Sequence, residues 1–395
     1  MTLELRMKNL AIILFVVAFV CSQTHIIPQL RHRSRLINTG IPPNFTNADA
    51  DTAYAAFNKY FFNPIAKLYY SSTTKSGIGA IWTQAIFWDM AMNVYERTKD
   101  PAQLQMISDI YTGAVNQYDN FNWFNTTTWF IYDDMMWWVI ALSRATQLTG
   151  NTQYVQHAIA GFQRVWDGSY DPVNGGMFWD FKHSGKNACI NFPTVIGALR
   201  LYQITKDTSY LAKAKMIYAW AKNNLANPSN NGQIADNRVD GQPPAYSDYT
   251  YNQGTAIGSA VMLYKITNDE SYLNDAIRYA DYTKNSMCIK GILPAEGDWN
   301  EQGVLKAIFA QYIMMLINDG NQKQYMGWLL DNINLGWYNR DRNRDLTYRN
   351  YSIPAVTGDM QSYEASSIVT FMQLFPAPEK SANLKRSSID MLEVL

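Results

Sequence analysis

The strongest constraint on this chain is a helix junction that it uses more than once. Leu201-Tyr202-Gln203-Ile204-Thr205-Lys206-Asp207-Thr208-Ser209-Tyr210-Leu211 is matched almost residue for residue by Leu263-Tyr264-Lys265-Ile266-Thr267-Asn268-Asp269-Glu270-Ser271-Tyr272-Leu273. Looser copies are Arg97-Thr98-Lys99-Asp100-Pro101 with Leu104, Leu148-Thr149-Gly150-Asn151 with Tyr154, and Ile317-Asn318-Asp319-Gly320-Asn321 with Tyr325. They stand about 50 to 60 residues apart, longer than the repeats of ordinary two-helix solenoids. Each reads as a helix end, a tight turn and a new N-cap, because Asp207, Asp269, Asn151 and Asn321 carry oxygens suited to the free amides of a following first turn. The flanks have helical period: Trp138, Leu142, Ala145 and Leu148 share a face before one turn, and Tyr154, Ala158, Phe162 and Val165 share one after it. Such short links force antiparallel helix pairs.

Extending the pattern predicts twelve helices, near residues 47–70, 80–97, 101–118, 133–148, 152–168, 190–204, 208–226, 252–266, 270–285, 299–317, 322–335 and 360–374. Short turns alternate with long loops at 71–79, 119–132, 169–189, 227–251, 286–298 and 336–359. Because antiparallel helices alternate in direction, all the long loops emerge on one face, where function is expected. The fold class that follows is all-α: an (α/α)6 toroid, or six-hairpin barrel, with these loops forming a groove. An open solenoid is the alternative closure.

Basic and acidic residues balance at 33 each, so no long-range field favours nucleic acid or an anionic membrane, and a neutral substrate fits better. Twelve Trp and 26 Tyr exceed what a core needs and supply rings with polar edges of the kind that carbohydrate grooves use. Four histidines without a His-x-x-His or Cys-x-x-Cys spacing argue against zinc. No metal or cofactor is expected.

Loop 119–132 is crowded with aromatics and ends at Tyr132-Asp133-Asp134-Met135-Met136-Trp137-Trp138. Two adjacent carboxylates raise one another's proton affinity. A protonated carboxyl beside an ionised one is the acid and nucleophile set of a retaining glycosidase, which needs the groups about 5 to 5.5 Å apart. Neighbouring side chains reach that separation if they diverge. The competing readings are that Asp133 or Asp134 caps the following helix, or that the pair belongs to a calcium site, for which no regular Asp/Asn spacing is present. Other candidates on the same face are Gly175-Gly176-Met177-Phe178-Trp179-Asp180, where glycine backbone approaches closely and Trp179 offers an indole; Asn187 and Asn191, with amides suited to hydroxyls; Asp236 in loop 227–251; Tyr251, Asn252 and Gln253 after it; and Asp298. Trp88, Tyr132 and Trp137 complete the candidate substrate-binding set.

The order and spacing of Tyr132-Asp133-Asp134-Met135-Met136-Trp137-Trp138, Gly175-Gly176-Met177-Phe178-Trp179-Asp180, Lys186-Asn187-Ala188 and Thr250-Tyr251-Asn252-Gln253-Gly254 resemble glycoside hydrolase family 76, the endo-α-1,6-mannanases and related fungal cell-wall enzymes, over about residues 45 to 375. The resemblance implies an (α/α)6 fold and retaining double displacement on α-1,6-linked mannose without a metal. It makes Asp133 the nucleophile and Asp134 the general acid/base. The family's usual Trp-Trp-Asp is Phe178-Trp179-Asp180 here, which leaves substrate detail open. A mannan transglycosidase on the same site, a non-catalytic mannan-binding toroid, and other α/α-toroid enzymes are the remaining readings. The last are disfavoured by the scarcity of histidine and of basic loop residues.

At the N-terminus, Arg6 and Lys8 precede an apolar run from Leu10 to Val20, which reads as a signal peptide over 1–22 and is too short to span a bilayer. The expected organisation is this signal, an N-terminal extension over 23–44, the helical domain over 45–378 and a tail over 379–395. Asn44-Phe45-Thr46, Asn125-Thr126-Thr127 and Asn350-Tyr351-Ser352 are sequons, consistent with export. The expectation is a secreted monomer with α-mannan as its partner and no nucleic-acid or further membrane partner. Cys189 and Cys288 either pair or remain buried thiols.

Overall fold

The computed structural model describes residues 42–297 and 299–378. The signal segment, most of the N-terminal extension, Asp298 and the tail over 379–395 lie outside the described residues.

Twelve α-helices are found among the described residues: α1 Asn47–Phe61, α2 Ile81–Thr98, α3 Pro101–Gln117, α4 Tyr132–Thr149, α5 Thr152–Ser169, α6 Ala188–Thr205, α7 Thr208–Leu225, α8 Thr250–Thr267, α9 Glu270–Tyr282, α10 Leu305–Asn318, α11 Met326–Tyr338 and α12 Ser362–Leu374. The even-numbered helices form an inner ring. Each packs on the next, α2 on α4 and so on to α12, which packs back on α2. That closure separates a toroid from an open solenoid. Outer helices α1, α3, α5, α7 and α9 lie against α12, α2, α4, α6 and α8, and α11 also lies against α12. Burial follows position. α6 is buried continuously from Ala188 to Leu201, as suits an inner helix that is apolar on every side, whereas α5 and α9 bury one stripe.

The recurring junction has a repeated chemistry. Thr98, Thr149, Thr205 and Thr267 each donate their hydroxyl to the carbonyl four residues back. Each also accepts the amide of the residue two ahead. The residue between, Lys99, Gly150, Lys206 or Asn268, turns the chain with a left-handed φ of 55°, 73°, 63° or 57°. Asp100, Asn151, Asp207 and Asp269 then cap the next helix by accepting from Ala102, Gln153, Ser209 and Ser271. The fifth copy departs from this pattern. Asn321 does not cap; it is itself left-handed with φ 53°, and a 3-10 turn over Lys323–Tyr325 leads into α11. That copy lacks the threonine that organises the other four.

Three expected helices are shorter than the sequence pattern proposes. The first stops at Phe61 rather than 70. Pro64 disfavours helical backbone at Asn63, whose side chain accepts from Ile65 and Ala66, and a small hairpin follows (β1 Phe62–Asn63, β2 Leu68–Tyr69). The segment expected as helix over 299–317 begins as a 3-10 stretch, Trp299–Val304, before α10. α9 gives way at Tyr282 to a π-helical turn over Thr283–Met287. At the mouth of the ring, β3 Lys186–Asn187 pairs antiparallel with β4 Asn237–Arg238 and ties loop 169–189 to loop 227–251. Cys189 and Cys288 are free thiols.

Candidate active site

The inner helices begin at one end of the ring, and there the structure opens into a cleft of about 720 Å³. The second residues of four successive inner helices form a row along it: Trp82 of α2, Asp133 of α4, Cys189 of α6 and Tyr251 of α8. Closing a ring of similar hairpins brings equivalent first-turn positions together, so residues distant in sequence become neighbours.

Asp133 and Asp134 are the second and third residues of α4. The N-cap position belongs to Ile131, which makes no side-chain cap. Asp133 Oδ1 does accept the Asp134 amide at 2.9 Å, so one free first-turn donor is satisfied by the pair. Consecutive helical residues diverge by about 100° around the axis, which aims the two carboxyls in different directions while both line the cleft.

Burial, with a smaller contribution from the charge of Asp236, pushes the Asp133 carboxyl up to about 6. Hydrogen bonds from the Cys189 thiol and from backbone amides oppose the rise. Asp134 is driven well above the usual carboxylate range, first by burial, then by the charges of Asp133 and Glu301. The environment therefore separates the two proton affinities. The Cys189 thiol, buried between Asp133, Asp236 and Tyr251, is itself pushed well up and stays protonated.

Trp137, Trp179, Asn187, Asp236 and Tyr251 line the cleft as expected. The Trp179 indole is fixed through Nε1 to Ser184 Oγ at 2.9 Å. Asp236 accepts from Asn252 at 3.1 Å and Asn237 at 3.2 Å, and Asn252 itself is buried behind Asp236 rather than in the cleft lining.

The remaining sequence candidates lie elsewhere. Trp88 is fully buried, donates to the Ile107 carbonyl and packs against Tyr111, Trp138 and Tyr154; it belongs to the core between α2 and α4. The Tyr132 ring packs on Phe181 and beside Arg164, outside the cleft lining. Asn191 is buried and bonded to the Met177 backbone and the Asn187 carbonyl. Gln253 is spent on Ile234, Gly232 and Tyr279. Both residues fasten loops to inner helices. Gly175 and Gly176, with φ of 71° and 78°, press against the Trp220 indole, so their close approach serves packing. Asp298 lies outside the described residues.

Sequence reasoning missed Trp82, Tyr118, Cys189 and Glu301, all in the lining, while Trp299, which closes the Glu296-Gly297-Asp298-Trp299 segment at the end of loop 286–298, stands exposed at the rim. For Cys189 the signal was its place immediately after Asn187-Ala188 at a helix start; Glu301 was hidden inside a predicted helix.

Residues 45–386 match the model of Glycosyl hydrolase family 76. The chain belongs to glycosyl hydrolase family 76. It is a glycoside hydrolase, and its closed double ring is the family's fold. Among solved structures this family 76 chain is similar to the GH76A alpha-1,6-mannanase from Salegentibacter sp. HEL1_6, at 27% identity over 84% of this chain and 98% of that one, with a TM-score of 0.75. It is also similar, at 26% identity and TM-score 0.74 over 84% of this chain and 98% of that one, to an inactive variant of that mannanase with two consecutive aspartates replaced by alanine, in complex with alpha-1,6-mannotetrose. The Lin0763 protein from Listeria innocua shares the fold, at 24% identity over 83% of this chain and 96% of that one with TM-score 0.76. A search of curated proteins by sequence finds no match.

Proposed function

We propose that this chain is a secreted, monomeric, retaining endo-α-1,6-mannanase in which Asp133 is the nucleophile and Asp134 the general acid/base. The observation that carries the reading is the placement of the pair on the cleft wall with split proton affinities. The carboxyl that ionises first is suited to attack, and the one that keeps its proton is suited to donate it. Asp134 gives its proton to the glycosidic oxygen while Asp133 attacks the anomeric carbon, forming a mannosyl ester and releasing the leaving sugar. The Asp134 carboxylate then removes a proton from water, which attacks the same carbon and frees Asp133. Two inversions give net retention, and the scheme uses no metal or cofactor.

Two further observations support it. The chain contains a single Asp-Asp dipeptide, and the similar mannanase whose two consecutive aspartates are replaced is inactive and binds alpha-1,6-mannotetrose. Trp179 and Trp137 line the cleft as apolar surface for a neutral sugar, with Asn187, Asp236 and Tyr251 as hydroxyl partners. The signal-like N-terminus and the sequons support export.

The test is incubation of the wild-type protein and Asp133→Asn with unbranched α-1,6-mannan, following reducing ends and product sizes. Internal cleavage lost in the variant is expected. Chain-lengthened products would replace hydrolysis by glycosyl transfer, and saturable binding without cleavage would leave a mannan-binding toroid.

A further inference from the structure

Asp133 and Asp134 do not share the cleft only with Asp236. A fourth carboxyl, Glu301, also lines it, carried by the 3-10 stretch between loop 286–298 and α10. No lysine, arginine or histidine is found in the cleft lining among the described residues, so no cation neutralises these groups. Glu301 has one neutral partner, the Trp82 indole, whose Nε1 donates to Oε2 at 3.4 Å. Its backbone is left-handed, with φ 57°, a region that a residue with a β-carbon occupies at a cost, and such strained residues cluster at functional sites. The segment thus holds an acidic side chain in the cleft with an unfavourable backbone and no counter-ion.

We propose that Glu301 is a positioning residue for the acid step, whose negative charge holds the proton on Asp134 until the departing glycosidic oxygen takes it. This rests on the reading of Asp134 as general acid. The groups facing Asp134 are Asp133 on its own helix, Glu301 on the 3-10 segment and the Tyr118 phenol at the end of α3. Cys189, Asp236 and Tyr251 face Asp133 instead. Of the groups acting on Asp134, Asp133 must give up its charge on forming the mannosyl ester, and Tyr118 is held neutral by burial, its hydroxyl unpartnered. Glu301 is the charge that persists through both steps. Burial raises its own proton affinity and the Trp82 hydrogen bond opposes that rise, whereas Asp134 is driven well above the usual carboxylate range, so of the two it is Asp134 that holds its proton to higher pH. After the ester forms, the same charge makes Asp134 a stronger base toward water.

The experiment compares wild type, Glu301→Gln and Trp82→Phe on α-1,6-mannotetraose and on an aryl α-mannoside with a low-pKa leaving group, measuring kcat/KM against pH. Glutamine keeps the shape and can still accept from Trp82, so only the charge is lost. The expected result is an alkaline limb displaced downward by roughly one pH unit, with a larger loss on mannotetraose than on the aryl substrate, which needs little protonation. Trp82→Phe keeps the carboxyl but removes the hydrogen bond that favours its ionised form, so its alkaline limb is expected to move in the same direction as that of Glu301→Gln but by less. Superimposable wild-type and Glu301→Gln profiles, or equal losses on both substrates, would overturn the role of Glu301. If wild type cleaves neither mannotetraose nor mannan, it is the mannanase reading itself that fails.

Discussion

A carboxyl that burial makes hard to ionise imposes a stability cost on the fold, and Asp133 lets that cost be measured. Moving its proton affinity from 3.8 in the unfolded chain to about 6 in the native cleft corresponds to about 3 kcal/mol. The side chain is partly exposed, so this is an upper figure. The sign follows from proton counting. Between the two values the native state binds more protons than the unfolded state, so stability falls as pH rises from about 4 to about 6 and then levels off. Asp133→Asn removes the ionisation while keeping an oxygen for the Asp134 amide and the Cys189 thiol. The variant is expected to be more stable than wild type at pH 7.5 by up to about 3 kcal/mol, or about 4 °C in Tm for a domain of this size, and to lose that advantage by pH 4. Thermal melts of both proteins from pH 4 to 8 measure it. A Tm difference that does not change with pH, or a variant less stable than wild type at pH 7.5, refutes the claim that Asp133 is held in the cleft at a cost in stability.

Three other outcomes follow from the placement of particular side chains. Trp88→Phe removes an indole bonded inside the core and is expected to lower stability by about 1–3 kcal/mol while KM stays unchanged; a raised KM with an unchanged Tm would return Trp88 to the cleft. Asn151→Ala breaks a working N-cap and should cost about 1 kcal/mol in denaturant melts, whereas Asn321→Gly, at a left-handed residue that caps nothing, should leave stability unchanged or raised. Trp179→Ala should raise KM for mannotetraose about tenfold, the equivalent of roughly 1.4 kcal/mol of ring contact, with Tm little changed; an unaltered KM would remove the indole from the binding surface.

The helical order was legible because its signal is local. The Thr-x-Asp or Thr-x-Asn junction carries its own turn, hydroxyl bonds and cap within a few residues, so four hairpins announce themselves in sequence. Where the helix extents were wrong, a local signal had been passed over: Asn63-Pro64 ends α1, and Asn321 stands in a junction without its threonine. The Asp133-Asp134 pair and the rings of Trp137 and Trp179 were legible because unusual residues fall at a loop end. Trp88, Asn191 and Gln253 were misplaced for a different reason. An amide or indole reads the same in sequence whether it meets a sugar or a buried backbone carbonyl, and only the packing of α2, α6 and α8 decides. Glu301, Trp82 and Cys189 join the cleft only when the ring closes, which no sequence neighbourhood records.

The central claim is double displacement through the adjacent aspartates, and the anomeric configuration of the first product tests it most directly. Proton NMR of wild-type protein cleaving α-1,6-mannotetraose should show the α-anomer at the new reducing end before mutarotation. A β-anomer appearing first would mean a single inversion and would contradict the assignment of Asp133 as nucleophile.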